Sequence, residues 1–510
     1  MFRAIRVLPL LIGVPLLATC GGQGSGPTSA QMPSGRGQLI TSPPTKLSSF
    51  SVSDLLSKLS GSDLGQELLK LAFSPTCSVD VYQLQYDTVG AQGESTTASG
   101  ALMIPGGADP RCESPRPILL YAHGTSTLKT YNIADLTSNG EGLLVAAVFA
   151  SRGYIVVAPN YAGYDTSSLG YHPYLNADQQ SKDMMDALTA ARSAFASTNT
   201  SDNHKLFVTG YSQGGYVAMA THRALQAAGT GVTASGPMSG PYAVAAFADA
   251  AFEGQVSGSA VVSVTLLATS YQHAYRDLYS SPTEVFEAKY AAGIDALLPS
   301  TTDVSTLVAE GRLPENALFS STPPAPEFAA MTPATTPANL APVFALGLGP
   351  DNLVTNNYRL SYLRDAQANP DGGFPNTSTG LPAANPGITL RQALKTNDLR
   401  DWSPTSPVLL CAGNEDPTVF YLNTQLMQGY WLKNAPGSVV TVLDVDSSAS
   451  SGDPYAELKT GFAAAKALVA AGAVAGGATD GGASAVLHAY HARLVPPFCL
   501  EAVRAFFDNH

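Results

Sequence analysis

Apolar and polar residues alternate along two early stretches, Val79–Tyr86 and Ala98–Ile104. A period of two sends successive side chains to opposite faces, so both are predicted as half-exposed antiparallel strands. Four later runs are apolar without alternation: Ile118–Ala122, Ile155–Ala158, Leu206–Gly210 and Val408–Ala412. Short continuous runs of this kind fit parallel strands that helices cover on both faces. Helical stretches are expected between them, near 143–152, 179–197, 214–228 and 419–434. Strands alternating with helices predict an α/β fold, with a mostly parallel, doubly wound sheet led by two antiparallel strands.

Two segments interrupt the pattern. Residues 240–400 hold Ala- and Leu-rich helical patches, then the Pro-rich Thr322–Pro342 and the Gly/Pro/Asn-rich Asn369–Gly387. They are predicted as a largely helical cap inserted over the carboxyl edge of the sheet. Residues 447–485 form a second, surface insertion, with an Ala-rich helix followed by a Gly-rich stretch. The core is then 48–239 and 401–510. A chain of 510 residues carries a soft prior of about three domains. The insertions account for the excess length, so one body is expected.

The amino terminus breaks the pattern differently. Arg3 and Arg6 precede twelve mostly apolar residues, Val7–Ala18. This is the layout of a secretory signal, too short to span a bilayer, so 1–19 are expected to be removed. Leu17-Ala18-Thr19-Cys20 is similar to a bacterial lipobox, which would lipidate Cys20 and anchor the chain to a membrane. Gly21 after Cys20 favours the outer membrane. Secretion without lipidation, to the periplasm or beyond, is the alternative. Residues 20–47 then make a flexible tether, rich in Gly, Ser, Pro and Thr.

Charge sharpens this picture. The net charge is −12, and charged residues are 13% of the chain, about half the usual ~25%. Clustered Lys and Arg for phosphates are missing, which argues against nucleic-acid binding. No apolar run of about 20 residues is free of breakers, which argues against a polytopic membrane protein. An exported chain meets oxidising conditions, so Cys77, Cys112, Cys411 and Cys499 could form two disulfides in three connectivities. Cys77 and Cys112 flank the first hairpin, Cys411 ends a strand and Cys499 opens the last helix. The pairings 77–112 and 411–499 are favoured, with four buried thiols as the alternative.

The candidate chemistry centres on Gly210-Tyr211-Ser212-Gln213-Gly214-Gly215. This G-x-S-x-G lies between a predicted strand and a predicted helix, the context of a nucleophile elbow that presents Ser212 above the sheet edge. A serine hydroxyl needs a base, and the base an orienting acid. In the chain order Ser, acid, His, Asp416 follows the strand Val408–Ala412 and is the candidate acid. His491 is the preferred base, in an expected loop between the last strand and the last helix. His488 is the alternative. His123, His172, His204, His222 and His273 come too early for the order. Backbone N–H groups of Gln213 and Thr125 are the candidate oxyanion donors, Thr125 following the pair His123-Gly124. Pro173, Tyr174 and Leu175 either shape the approach to the site or pack a loop. The Gly-rich 476–482 is no phosphate cradle, because neither Lys-Ser nor Lys-Thr follows it.

These residues carry a resemblance, running from about 75 to 508. His123-Gly124-Thr125 resembles an oxyanion loop. Ala158–Tyr164 with His172–Leu175 resembles the strand and loop upstream of an elbow. Ser239-Gly240-Pro241-Tyr242 resembles the start of a helical cap, and Leu394–Trp402 with Pro407–Asp416 the approach to the acid. Together they are similar to the α/β-hydrolases of the secretory lipase family, in its bacterial lipoprotein-like branch. The resemblance implies carboxylic ester hydrolysis, often on lipids, with no metal or cofactor. A small-molecule or lipid ester is then the expected substrate. A same-fold peptidase or polyester depolymerase, or an inactive binding lipoprotein, remains as an alternative.

Overall fold

Nine strands form one sheet in the computed structural model, which describes residues 35–61, 63–70 and 74–510. They are β1 (Thr45–Phe50), β2 (Ser78–Val89), β3 (Ser95–Gly106), β4 (Arg116–Ala122), β5 (Ile155–Pro159), β6 (Asp202–Tyr211), β7 (Ala234–Met238), β8 (Val408–Ala412) and β9 (Val440–Asp444). Their order is β1-β2-β3-β5-β4-β6-β7-β8-β9. The leading strands pair antiparallel through the β3–β5 contact, and every pairing from β5 to β9 is parallel. The six predicted strands are all present. The predicted signal segment, Cys20 and the tether up to residue 34 lie outside the described residues.

The continuous apolar runs are explained by what covers them. Ile118 and Leu120 face a core shared with Met184, Leu188, Val217 and Leu225 of the helices Ala177–Ala194 and Gln213–Ala227. Leu119 and Tyr121 face the opposite core, with Leu144 and Val148 of the helix Gly140–Val148 and Val503 and Phe507 of the closing helix Val495–Asp508. Neither face of β4 meets water, so nothing selects for alternation.

Three strands escaped the sequence pattern. β7 reads Ala-Ser-Gly-Pro-Met, a composition typical of turns, yet all five residues are buried. Gly236 is needed there because a Cβ would run into the Val503 side chain of the closing helix. β9 is a partly covered edge strand in which only Leu443 is buried. β1 straddles the expected boundary between tether and core at residue 47.

That tether boundary is corrected by the structure. The amides of Gly37 and Ile40 donate to the carbonyls of Asp87 and Gln85, both at 2.8 Å. Arg36 pairs with the buried Asp186 at 2.9 Å. The open edge of β2 offers unpaired backbone groups, and residues 37–50 satisfy them. From Arg36 onward the chain therefore belongs to the body.

Within 240–400 lie the helices Val244–Phe252, Ala260–Tyr275, Asn356–Ala368 and Thr389–Asn397, with shorter helices such as Val304–Ala309 and Ala341–Leu346 in the long connection between the second and third. Two buried ionic clusters fasten this segment. Arg391 bridges Asp249 and Asp365, and Arg400 bridges Asp371 and Asp398. In the insertion 447–485 the helix Ala456–Ala475 is long and apolar enough to cross a membrane by length and composition. Instead it packs Phe462 against Tyr490 and Phe498, and Lys466 reaches Asp446 and Glu415.

Both favoured disulfides are formed. Cys77–Cys112 closes the base of the β2–β3 hairpin, and Cys411–Cys499 ties β8 to the closing helix.

Candidate active site

β6 ends at Tyr211 and the helix Gln213–Ala227 begins two residues later, leaving Ser212 alone in the turn. Its φ of 59° and ψ of −122° are strained for a residue with a side chain, and the surroundings hold it there. The Ser212 amide donates to the Met238 carbonyl of β7 at 3.0 Å. At Gly214 a Cβ would lie 2.8 Å from the His123 carbonyl oxygen and closer still to that of Ala122. The elbow helix can approach β4 this closely only because that position is glycine.

The candidate acid and base converge on this serine. His491 Nε2 lies 2.8 Å from Ser212 Oγ, and His491 Nδ1 lies 2.7 Å from Asp416 Oδ2. Asp416 is 1% exposed, and its Oδ1 accepts the Thr418 and Val419 amides at 2.9 and 3.0 Å. The carboxylate is thereby fixed with Oδ2 free for the imidazole. Tyr211 donates its hydroxyl to the His491 carbonyl at 2.6 Å and packs against the ring at 5.0 Å. Neighbouring Glu415 points elsewhere, to Lys466 at 3.0 Å.

His491 does not lie in a loop, contrary to the sequence expectation. It sits in one turn of π-helix, Tyr490–Leu494, continuous with the helices Ala483–Ala489 and Val495–Asp508. The extra residue of a π turn reorients the side chains of an otherwise regular helix, a device common at functional sites. The alternative base His488 lies one turn earlier, exposed, against the Ser484 carbonyl at 2.7 Å. It lines a neighbouring cavity of about 270 Å³ rather than the one at Ser212.

Gln213 directly follows Ser212, and Thr125 lines the same cavity as the serine. Gln213 is the first residue of the elbow helix, so its N–H has no intrahelical acceptor. Its side chain is anchored below: Nε2 donates to His172 Nε2 at 2.7 Å, and His172 Nδ1 donates to the Ala162 carbonyl at 3.0 Å. Burial pushes the His172 imidazole down to about 3, which keeps that nitrogen an acceptor. Thr125 Oγ1 meets the Tyr174 hydroxyl at 3.1 Å. One residue earlier, the Gly124 amide donates to Glu141 Oε1 at 3.0 Å.

A cavity of about 310 Å³ opens over Ser212 and His491. Leu144, Pro496 and Leu500 give it an apolar wall, and Ser259, Val262 and Ser263 from the segment 240–400 close another side. Tyr174 lines it, so that part of the Pro173–Leu175 segment does shape the approach. Among the described residues, no group of three His, Cys, Asp or Glu is arranged to hold a metal ion.

Sequence reasoning missed Glu141, which also lines the cavity. An acid in the first turn of a helix reads as a favourable partner of the helix dipole, and nothing in the sequence marks it further. It also missed Tyr211, whose hydroxyl holds the His491 carbonyl from the residue before Ser212.

The sheet order, the elbow and the serine, histidine and aspartate set over it define an α/β-hydrolase. The chain's solved neighbours include esterases of that fold. It is similar over almost its whole length to the rice cell wall degrading esterase LipA from Xanthomonas oryzae (25% identity, TM-score 0.66, covering 94% of this chain and 100% of that chain). A ligand-bound form of the same esterase matches at 25% identity and TM-score 0.65, covering 93% and 99%. A putative hydrolase from Legionella pneumophila shares the fold at 19% identity and TM-score 0.61, covering 92% and 98%. The prolyl oligopeptidase family matches residues 143–239, from the helix before β5 to the end of β7. No curated protein matches the sequence.

Proposed function

We propose that the protein is an exported serine hydrolase that cleaves carboxylic esters through an acyl-enzyme. The observation that carries this reading is the unbroken relay from Asp416 through His491 to Ser212, opening into an apolar cavity. Ser212 Oγ attacks the ester carbonyl while His491 Nε2 takes its proton. His491 then gives that proton to the leaving alcohol. Asp416 holds the imidazole in the tautomer with Nδ1 protonated and stabilises the imidazolium. The carbonyl oxygen becomes an oxyanion between the Gln213 and Thr125 amides. Water, activated by the same histidine, releases the acid and restores Ser212.

Similarity to an esterase at 25% identity supports ester chemistry over amide chemistry. The short match to the prolyl oligopeptidase family favours a peptidase as the second reading. The test is labelling by a fluorophosphonate probe, with turnover of p-nitrophenyl esters and aminoacyl anilides. Labelling of the wild type, its loss in Ser212→Ala and preference for esters are expected. An unlabelled, folded wild type overturns the hydrolase reading, and preference for anilides overturns the esterase.

Export is supported by the two disulfides, which form and persist in oxidising compartments. Anchoring through a lipid on Cys20, with the outer membrane as its place, belongs to the same proposal. Cys20→Ala is then expected to move the protein from the membrane to the soluble fraction.

A further inference from the structure

The cavity above Ser212 contains one carboxyl group, that of Glu141, among walls that are otherwise apolar, hydroxyl-bearing or formed by the His491 imidazole. Its two oxygens are used unequally. Oε1 accepts the Tyr121 hydroxyl at 2.8 Å and the Gly124 amide at 3.0 Å. Oε2 receives only the Tyr131 hydroxyl, at 3.4 Å. A carboxylate has about four acceptor positions, so Oε2 has capacity to spare. No Lys or Arg contributes to its electrostatic surroundings, which consist of burial and three neutral donors. Burial pushes its pKa up. Acids so enclosed are normally paired with a cation or fully hydrogen-bonded, because an unmatched one is costly.

We propose that Glu141 is a second recognition point for substrate, accepting a hydrogen bond from a donor group on the acyl chain, a hydroxyl or an ammonium, while Ser212 takes the carbonyl. The inference rests on the ester-hydrolase reading and specifies its substrate class: esters of short hydroxy- or amino-substituted acids. The volume of about 310 Å³ lies at the small end of ligand sites, roughly 300–1,000 Å³, which suits a chain of a few carbons. Glu141 also supports the loop before Thr125 through Gly124. A purely supporting role would act on every ester alike, and that difference makes the proposal testable.

The experiment measures kcat/KM by pH-stat titration on ethyl butyrate and ethyl hexanoate, and on their hydroxy- and ω-amino-substituted counterparts. In the wild type, at least one substituted ester is expected to exceed its plain counterpart by about tenfold or more, the worth of a hydrogen bond to a charged group. Glu141→Leu is expected to bring that ratio close to one. Glu141→Gln, which keeps an acceptor oxygen but no charge, is expected to retain a hydroxyl preference and lose an ammonium preference. The comparison of the two substituents identifies the donor. Ratios within about threefold in the wild type overturn the proposal and leave the esterase standing, as does a Glu141→Leu enzyme that loses activity on all esters in proportion. Failure to hydrolyse any ester overturns the esterase reading, and this inference with it.

Discussion

Replacing Cys411 and Cys499 together by alanine tests how the site is held. Both residues are buried, at 1% and 0% exposure, and their bond joins β8 to the closing helix across 88 positions of sequence. That span contains Asp416 and His491, so the bond clamps the segment carrying both partners of Ser212. In the chain-entropy view a cross-link mainly restricts the unfolded chain, and 88 residues correspond to about 4.6 kcal/mol at 25 °C. The same relation gives about 3.8 kcal/mol for Cys77–Cys112, which spans 35 positions. The double variants are therefore expected to lose stability in that order, with a gap of about 0.8 kcal/mol. Reversible urea unfolding followed by fluorescence and circular dichroism measures both losses, and unchanged m-values would show that the unfolded states stay comparable. Ester turnover measured during a thermal ramp should fall before global unfolding in the Cys411/Cys499 variant only. A loss below about 1 kcal/mol for that variant, or a larger loss for Cys77/Cys112, would refute the reasoning.

Three further outcomes follow from named contacts. Gly214→Ala puts a methyl group into the Ala122 and His123 carbonyls, so it should displace the elbow and slow fluorophosphonate labelling by roughly a hundredfold; labelling at the wild-type rate would count against the close approach. Arg400→Met leaves Asp371 and Asp398 buried without their cation, and urea unfolding should show a loss of about 3–5 kcal/mol, whereas a neutral result would mean that water reaches them. His172 is held near 3, below the ordinary 6.5, so its contribution to stability is full above pH 6.5 and is lost as pH falls toward 3. The stability gap between wild type and His172→Gln should accordingly narrow by about 2 kcal/mol from pH 7.5 to pH 5, and a gap independent of pH would contradict a buried neutral imidazole. Asp183, which burial raises to about 6, acts in the opposite direction, and comparison of the two proteins at each pH cancels it.

The elements that repeat a local rule were legible from sequence. β4, β5, β6 and β8 are apolar because both faces are covered, and the elbow is legible because a sharp strand-to-helix turn around a serine requires glycine at fixed offsets. The order of Ser212, Asp416 and His491 followed from the same reasoning. β7 was not legible, because Gly236 and Pro237 are turn formers by local preference and become strand residues only through Val503, hundreds of positions away. β1 was not legible either, because its Ser-rich residues gain a partner only from the open edge of β2.

By itself the sequence marked the candidates for acyl chemistry and the order in which they occur, since tight turns and buried strands impose their requirements over a few residues. Which of His491 and His488 lies against Ser212 is decided by tertiary structure alone. Both lie close to the closing helix, and only the π turn against Asp416 and Tyr211 brings one ring to Ser212. It alone also set Glu141 in the cavity, because a carboxyl group acquires an environment only when distant elements close around it.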